Sequence, residues 1–144
     1  MAYDLYVLRI EAGKTWQEAL VDHARSGDEP EWPPAELSGA ELDAWQRIVS
    51  RVRSEIGPVT TECEPHRAEL TLDGPDVALN YSCERVEVRV PHGYEGVTAL
   101  RALYHGYAIA RIAADETGAV AVDPTIGRRL PSPAEETQQV PLAS

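Results

Sequence analysis

The stretch that most constrains the fold is Val86 to Asp123, which reads as strand, helix, strand. Val86, Val88 and Val90 alternate with Glu87 and Arg89, the pattern of a strand with one buried and one wet face. From about Val97 to Glu116 the apolar residues recur at spacings of three and four, which predicts a long helix. Leu100, Leu103, Tyr107, Ala110 and Ala114 form its expected apolar stripe, widened by Ala99, Ala102, Ile109, Ile112 and Ala113. Arg101, His105, Arg111 and Asp115 make the polar remainder. Gly118 is the expected terminator, because a left-handed C′ residue costs glycine little. Residues 118–123 supply the second strand, and the helix is expected to cover the valine face of the first.

The upstream chain reads as elements that extend or cover this unit. Tyr3 to Leu8 is a nearly continuous β-prone run, suited to a strand inside a sheet, with Asp4 as its one charged member. Thr15-Trp16-Gln17-Glu18 has capping-box spacing and opens a helix that runs toward Ser26-Gly27. Ser38-Gly39-Ala40-Glu41 is a second capping box, with Leu37 and Leu42 at the positions of a hydrophobic staple. Its helix carries an apolar stripe of Leu42, Trp45, Val49, Val52 and Ile56 and stops at Gly57-Pro58. Residues 67–72 and 77–82 alternate and flank Asp73-Gly74-Pro75-Asp76, a hairpin signal. Leu70, Leu72, Val77, Leu79 and Tyr81 share the inner face with the three valines; Glu69, Thr71, Asn80, Ser82, Glu87 and Arg89 share a polar outer face. The expected fold is α+β, a two-layer sandwich. It has a mostly antiparallel sheet of about five strands, with about three helices on one face. Residues 1–130 are expected to form one domain, and 131–144, rich in Pro, Glu, Gln and Ser, are expected to form a flexible tail.

Charge narrows the function classes. The formal net charge is −11, and Lys14 is the single lysine among 13 basic residues. Phosphate polymers need clustered Lys and Arg, so nucleic acid is disfavoured as a partner. An acidic body favours a basic protein surface through electrostatic steering, although acidity also serves plain solubility. No apolar run approaches the roughly 18 residues of a membrane span. Asp4 interrupts the early apolar run, so no signal peptide is expected; a cytoplasmic location and two reduced cysteines follow.

Four constellations could carry function. The first is the loop Asp28-Glu29-Pro30-Glu31-Trp32-Pro33-Pro34-Ala35-Glu36, kept irregular by three prolines. Asp28, Glu29, Glu31, Trp32 and Glu36 there suit partner recognition, with charges around one apolar anchor; the bland alternative folds Trp32 back onto the core. The second is Asp4 with Asp123, at the ends of two strands, since paired carboxylates do acid–base work when their environments differ. Asp123 before Pro124 equally fits a side-chain-capped turn. The third is Arg101 with His105, one helical turn apart, an anion-binding pair or simply a solvated face. The fourth is Cys63-Glu64-Pro65-His66, with Cys83 brought opposite His66 by the hairpin. Zinc would need a fourth ligand there, from His92, His23 or a carboxylate, and no metal or other cofactor is expected. No phosphate loop, nucleophile elbow or HExxH pattern occurs.

Two stretches resemble a loosely defined group of small bacterial proteins. These open with Tyr-Asp-Leu-Tyr, matched by Tyr3 to Tyr6. They close with a strand ending in Pro, a helix, Glu-Thr-Gly and a short strand before Asp-Pro, matched by Pro91, by Glu116-Thr117-Gly118 and by Asp123-Pro124. Members usually continue as Tyr-Asp-Pro-Gln, whereas this chain has Val122-Asp123-Pro124-Thr125. Some similar proteins serve as immunity partners in bacterial toxin systems, and the resemblance implies no enzymatic residues. The expectation is therefore a non-enzymatic, acidic, protein-binding domain, most concretely an immunity protein that neutralises a toxin. The alternatives are a small enzyme or ligand sensor using Asp4/Asp123 and Arg101/His105, and an accessory domain of an unrelated enzyme system.

Overall fold

The computed structural model describes residues 3–8, 13–26, 36–74, 76–82, 86–91, 95–125 and 127–130. In chain order these form β1 (Tyr3–Leu8), α1 (Trp16–Ser26), α2 (Gly39–Glu55), β2 (Val59–Cys63) and β3 (Arg67–Leu72). There follow β4 (Ala78–Ser82), β5 (Val86–Val90), α3 (Gly96–Thr117), β6 (Val120–Asp123) and β7 (Arg128–Arg129). Among the described residues the strands make one sheet in the order β2-β3-β4-β5-β1-β6-β7, antiparallel at every pairing. This is the expected two-layer α+β sandwich. The sheet is wider than about five strands because β2 and the two-residue β7 extend its ends.

The unit at residues 86–123 forms as its pattern predicts, with β1 inserted between its two strands. β5 and β6 each run antiparallel to β1, so they are parallel to one another, a split strand-helix-strand unit. The nearly continuous apolar run of β1 fits this interior position. Gly118 ends α3 in the left-handed conformation at φ 70°.

The core lies between the sheet and two helices, α2 and α3. Leu5, Val7, Leu70, Leu72, Val77, Leu79, Tyr81, Val88, Val90 and Ala121 come from the sheet. Trp45, Ile48, Val49 and Val52 come from α2, and Ala102, Ile109, Ala110 and Ala113 from α3. Each fully buried Leu, Ile or Val contributes about 1.5–3 kcal/mol of transfer free energy. At the start of α2 both halves of the capping box form, Glu41 N–H to Ser38 Oγ at 3.1 Å and Ser38 N–H to Glu41 Oε1 at 2.9 Å. The matching Thr15 hydroxyl accepts from Glu18 N–H at 3.2 Å at the start of α1.

Two expectations about helix placement are corrected. Three helices do not share one face, because α1 packs on the opposite face. Its Ala19, with Trp16 and Leu20 beside it, meets Leu8 and Val122 in a second, smaller cluster. The pairing Leu8↔Val120 and Tyr6↔Val122 places those residues opposite to Val7↔Ala121, which belong to the main core. Adjacent apolar residues at Val7-Leu8 and Ala121-Val122 thus mark the end of the sheet that is covered on both sides. The second correction concerns α3. Leu100 is 68% exposed, while Ala102, Ile109, Ala110 and Ala113 of the expected face are buried together with Gly106. The packed stripe is therefore centred roughly a quarter-turn from the row of Leu100, Leu103, Tyr107, Ala110 and Ala114. Small residues let α3 approach the sheet closely. A Cβ added at Gly106 would stand 2.4 Å from Val90 Cγ2.

Candidate functional site

The outer face of β2 to β5 is a polar surface that the fold assembles from regular elements. Strand alternation puts Thr60, Glu62, Arg67, Glu69, Thr71, Asn80, Ser82, Glu87, Arg89 and Asp4 on it, and among the described residues no element covers it. The register aligns one row across four strands, Glu62↔Glu69↔Asn80↔Glu87. Glu62 and Glu69 face one another directly, and like charges so placed are destabilising. Nearby cations serve other carboxylates. Arg67 lies 3.5 Å from Glu64, and Arg89 lies 3.4 Å from Asp4.

The helix layer differs. α2 carries Arg47, Arg51 and Arg53 against Glu41, Asp43 and Glu55, and α3 carries Arg101 and Arg111 against Asp115 and Glu116. Both helices are formally neutral in a chain of net charge −11. Their charges are also engaged with each other. Arg51 donates to Glu55 at 2.8 Å, to Asp115 at 2.6 Å and to Glu116 at 3.2 Å, while Arg47 donates to Glu116 at 2.8 Å. The Arg47 bond, opposed by partial burial and aided by Arg51, holds the Glu116 carboxyl below its usual range. These bonds tie α2 to α3.

Of the loop expected to bind a partner, Asp28, Glu29, Glu31 and Trp32 lie outside the described residues. Glu36 is exposed, and its position is fixed by the next residue. Leu37 is buried, and its N–H donates to Pro65 O at 2.8 Å in the β2–β3 turn. The end of that acidic loop therefore sits at the same edge of the sheet as Glu62 and Glu64.

Asp4 and Asp123 do not meet. Asp4 alternates with Leu5 onto the outer face, where it pairs with Arg89. Asp123 alternates with Val122 onto the helix-covered face and is fully buried. Its Oδ2 accepts from the Tyr107 hydroxyl at 2.5 Å, and its Oδ1 from Thr125 N–H at 3.0 Å. Asp123 thus caps the turn after β6 and fastens that strand to α3.

Arg101 is exposed, and His105 is half-buried in a shallow cavity of about 250 Å³ with Arg51, Glu55, Ile56, Tyr104 and Arg111. Burial, and then the charge of Arg101, lower the His105 pKa from its ordinary 6.5, which favours the neutral imidazole. Beside it, Val97, Leu100 and Tyr104 form an exposed apolar strip along α3 that the sequence reading placed partly in the core. A second hollow of about 550 Å³ is lined by Ser38, Glu41, Arg47, Tyr81, Glu116 and Thr117. Its polar walls are engaged in the capping box, the Arg47–Glu116 pair and a Tyr81 hydroxyl bond to Glu41 O at 2.8 Å.

Cys63 is exposed, and His66 Nε2 lies 3.5 Å from Glu64 Oε2. Cys83, His92 and the side chain of His23 lie outside the described residues. Among the described residues no group of three or more His, Cys, Asp or Glu could hold a metal ion. No described helix is long and apolar enough to cross a membrane. Comparison with protein-family models, curated proteins and solved structures finds no match.

Sequence reasoning missed the edge strand β2, and with it the Glu62–Glu69 pair. Val59-Thr60-Thr61 is a β-branched run of the kind that favours strands, and that was the available signal.

Proposed function

We propose that this chain is a non-enzymatic binding domain whose open, acidic sheet face receives a basic protein. The reading rests on one observation, the facing Glu62–Glu69 pair on a sheet face that none of the described elements covers. A sheet surface of this kind carries a stability cost that a partner's Lys or Arg side chains would relieve. The neutral helix layer localises the attraction to the sheet side and to the loops that border it. An immunity protein that occludes a cognate toxin is the most concrete form of the reading, and the resemblance at Tyr3–Tyr6 and Glu116–Pro124 supports it. The enzyme or sensor reading loses its carboxylate pair, since Asp4 and Asp123 lie on opposite faces.

The test is a tagged pull-down from the native host, followed by native mass spectrometry of the complex at low and high salt. The expected result is a stoichiometric basic partner that dissociates as salt rises and binds the Glu62→Lys/Glu69→Lys variant at least about tenfold more weakly. A partner held equally well by that variant would move the binding site off the sheet face. No partner at either salt would overturn the reading and turn attention to ligands at the His105 cavity.

A further inference from the structure

The manner of binding can be read from β2, the edge of the sheet. Two hydrogen bonds bracket its ladder with β3, Glu64 N–H to Arg67 O at 2.7 Å and Asp73 N–H to Pro58 O at 3.0 Å. In an antiparallel pair the hydrogen-bonded residues recur at every second position. Pro58, Thr60, Glu62 and Glu64 therefore turn their backbone groups toward β3. Val59, Thr61 and Cys63 turn their N–H and C=O groups away from it, and among the described residues no strand pairs with that side. Just past Cys63 the same edge is already in use, where Pro65 O accepts from Leu37 N–H at 2.8 Å.

We propose that β2 takes up an extended, basic segment of the partner as an added strand, with a Lys or Arg seated opposite Glu62. This deepens the reading of the sheet face given above and rests on it. The chemistry comes from two features that meet at one place. Exposed edge groups template main-chain pairing, in which the backbone supplies affinity and alternate side chains supply specificity. In an antiparallel addition, Val59, Thr61 and Cys63 make the hydrogen-bonded pairs. Glu62 then falls in a non-hydrogen-bonded pair, where facing side chains stand closest. Its neighbour on the other side is Glu69, so a cation there is flanked by two carboxylates in one row. Glu36, placed by the Leu37–Pro65 bond, adds negative charge at the end of the strand. A second copy of this chain is the wrong occupant, because two bodies of net charge −11 would bring acidic rows together.

The experiment uses the whole chain and a synthetic ten-residue peptide of alternating Lys and Val, with a Glu and Val peptide as control. Binding is followed by fluorescence anisotropy, and the amides by hydrogen exchange with NMR detection. The expected result is salt-sensitive binding of the Lys peptide alone, with new protection at the amides of Val59, Thr61 and Cys63. Thr61→Pro removes one outward N–H without touching the β3 ladder and should weaken binding about tenfold or more. Glu62→Lys keeps the backbone and should weaken it as much, which covers the case of a misfolded proline variant. Binding without protection of those three amides would overturn strand addition while leaving the acidic-face reading intact. So would failure of the Lys peptide to bind while a basic cellular partner is still captured. Equal binding of the Glu peptide would overturn the role of Glu62, and a dimer dissolved by Thr61→Pro would assign the edge to a second copy.

Discussion

The two faces of the sheet are built from alternate residues of the same strands, and they have been put to different uses. On the covered face Leu70, Leu79 and Val88 are fully buried beneath α2 and α3. Their neighbours Glu69, Asn80 and Glu87 form a polar row that nothing in the described structure covers. The covered face and its helices are close to charge-neutral, and α2 and α3 satisfy one another's ions. The open face carries Asp4, Glu62, Glu69 and Glu87 against Arg67 and Arg89. Stability is thus concentrated on one side, and a facing like-charge pair, Glu62 and Glu69, on the other. An arrangement selected for stability alone would interleave cations between Glu62 and Glu69, so the open face is where function is to be sought.

The comparison breaks if adjacent residues on opposite faces respond alike. Leu79→Ala empties a fully buried site and is expected to cost about 2–5 kcal/mol in chemical denaturation. Asn80→Ala, one residue on, is expected to stay within about 0.5–1 kcal/mol. The next test lies within α3 and separates close approach from simple hydrophobicity. Gly106→Ala gains about 1 kcal/mol of helix propensity. It also sets a Cβ 2.4 Å from Val90 Cγ2, a stiff β-branched side chain, and overpacking of that kind costs about 1–3 kcal/mol. A net loss of stability is expected, partly rescued when Val90→Ala is added. Leu100→Ala, on the exposed side of the same helix, should change stability by less than about 0.5 kcal/mol. A stabilised Gly106→Ala would show that α3 can slide, and that its seat on the sheet is looser than the packing implies.

That same helix shows where the sequence was legible and where it was not. Period-two alternation gave β3, β4 and β5 with the correct faces, because each strand is buried on one side only. The capping chemistry was readable because it is local: the Ser38–Glu41 box forms in full, and of the Thr15–Glu18 box the Glu18 N–H to Thr15 Oγ1 half forms. The centring of α3 was legible only in part: Ala102, Ile109, Ala110, Ile112 and Ala113 of the widened stripe are buried, but Gly106 at its centre carries no hydrophobic weight. Large residues such as Leu100 and Leu103 drew the centre of the expected stripe away from it. Side matters too: α1 was assigned to the common face because a thin apolar stripe does not say which surface it will meet. Only Leu8 and Val122, each adjacent to a residue of the opposite face, betray the second cluster. The pairing of Asp4 with Asp123 failed for the same reason, since strand proximity says nothing about the face until the register is known.

The smallest expected effect has the opposite sign and is the most informative about function. Glu69→Lys replaces a like-charge pair across β2 and β3 with an attractive one, Glu62 facing Lys, on a half-exposed surface. Cross-strand pairs of this kind are worth about 0.2–1 kcal/mol, so the variant should be slightly more stable than the parent chain. The denaturation midpoint should rise with an unchanged slope, and the gain should shrink in about 1 M salt, where the screening length falls to about 3 Å. Asp4 and Glu64 keep their own arginine neighbours and should not contribute to the change. The variant is expected to lose affinity for a basic partner while gaining stability, since one substitution neutralises the repulsion and the attraction together. A variant that lost stability as well would mean that Glu69 already has a compensating contact, and the open face would then be a solvated surface rather than a site held ready for a cation.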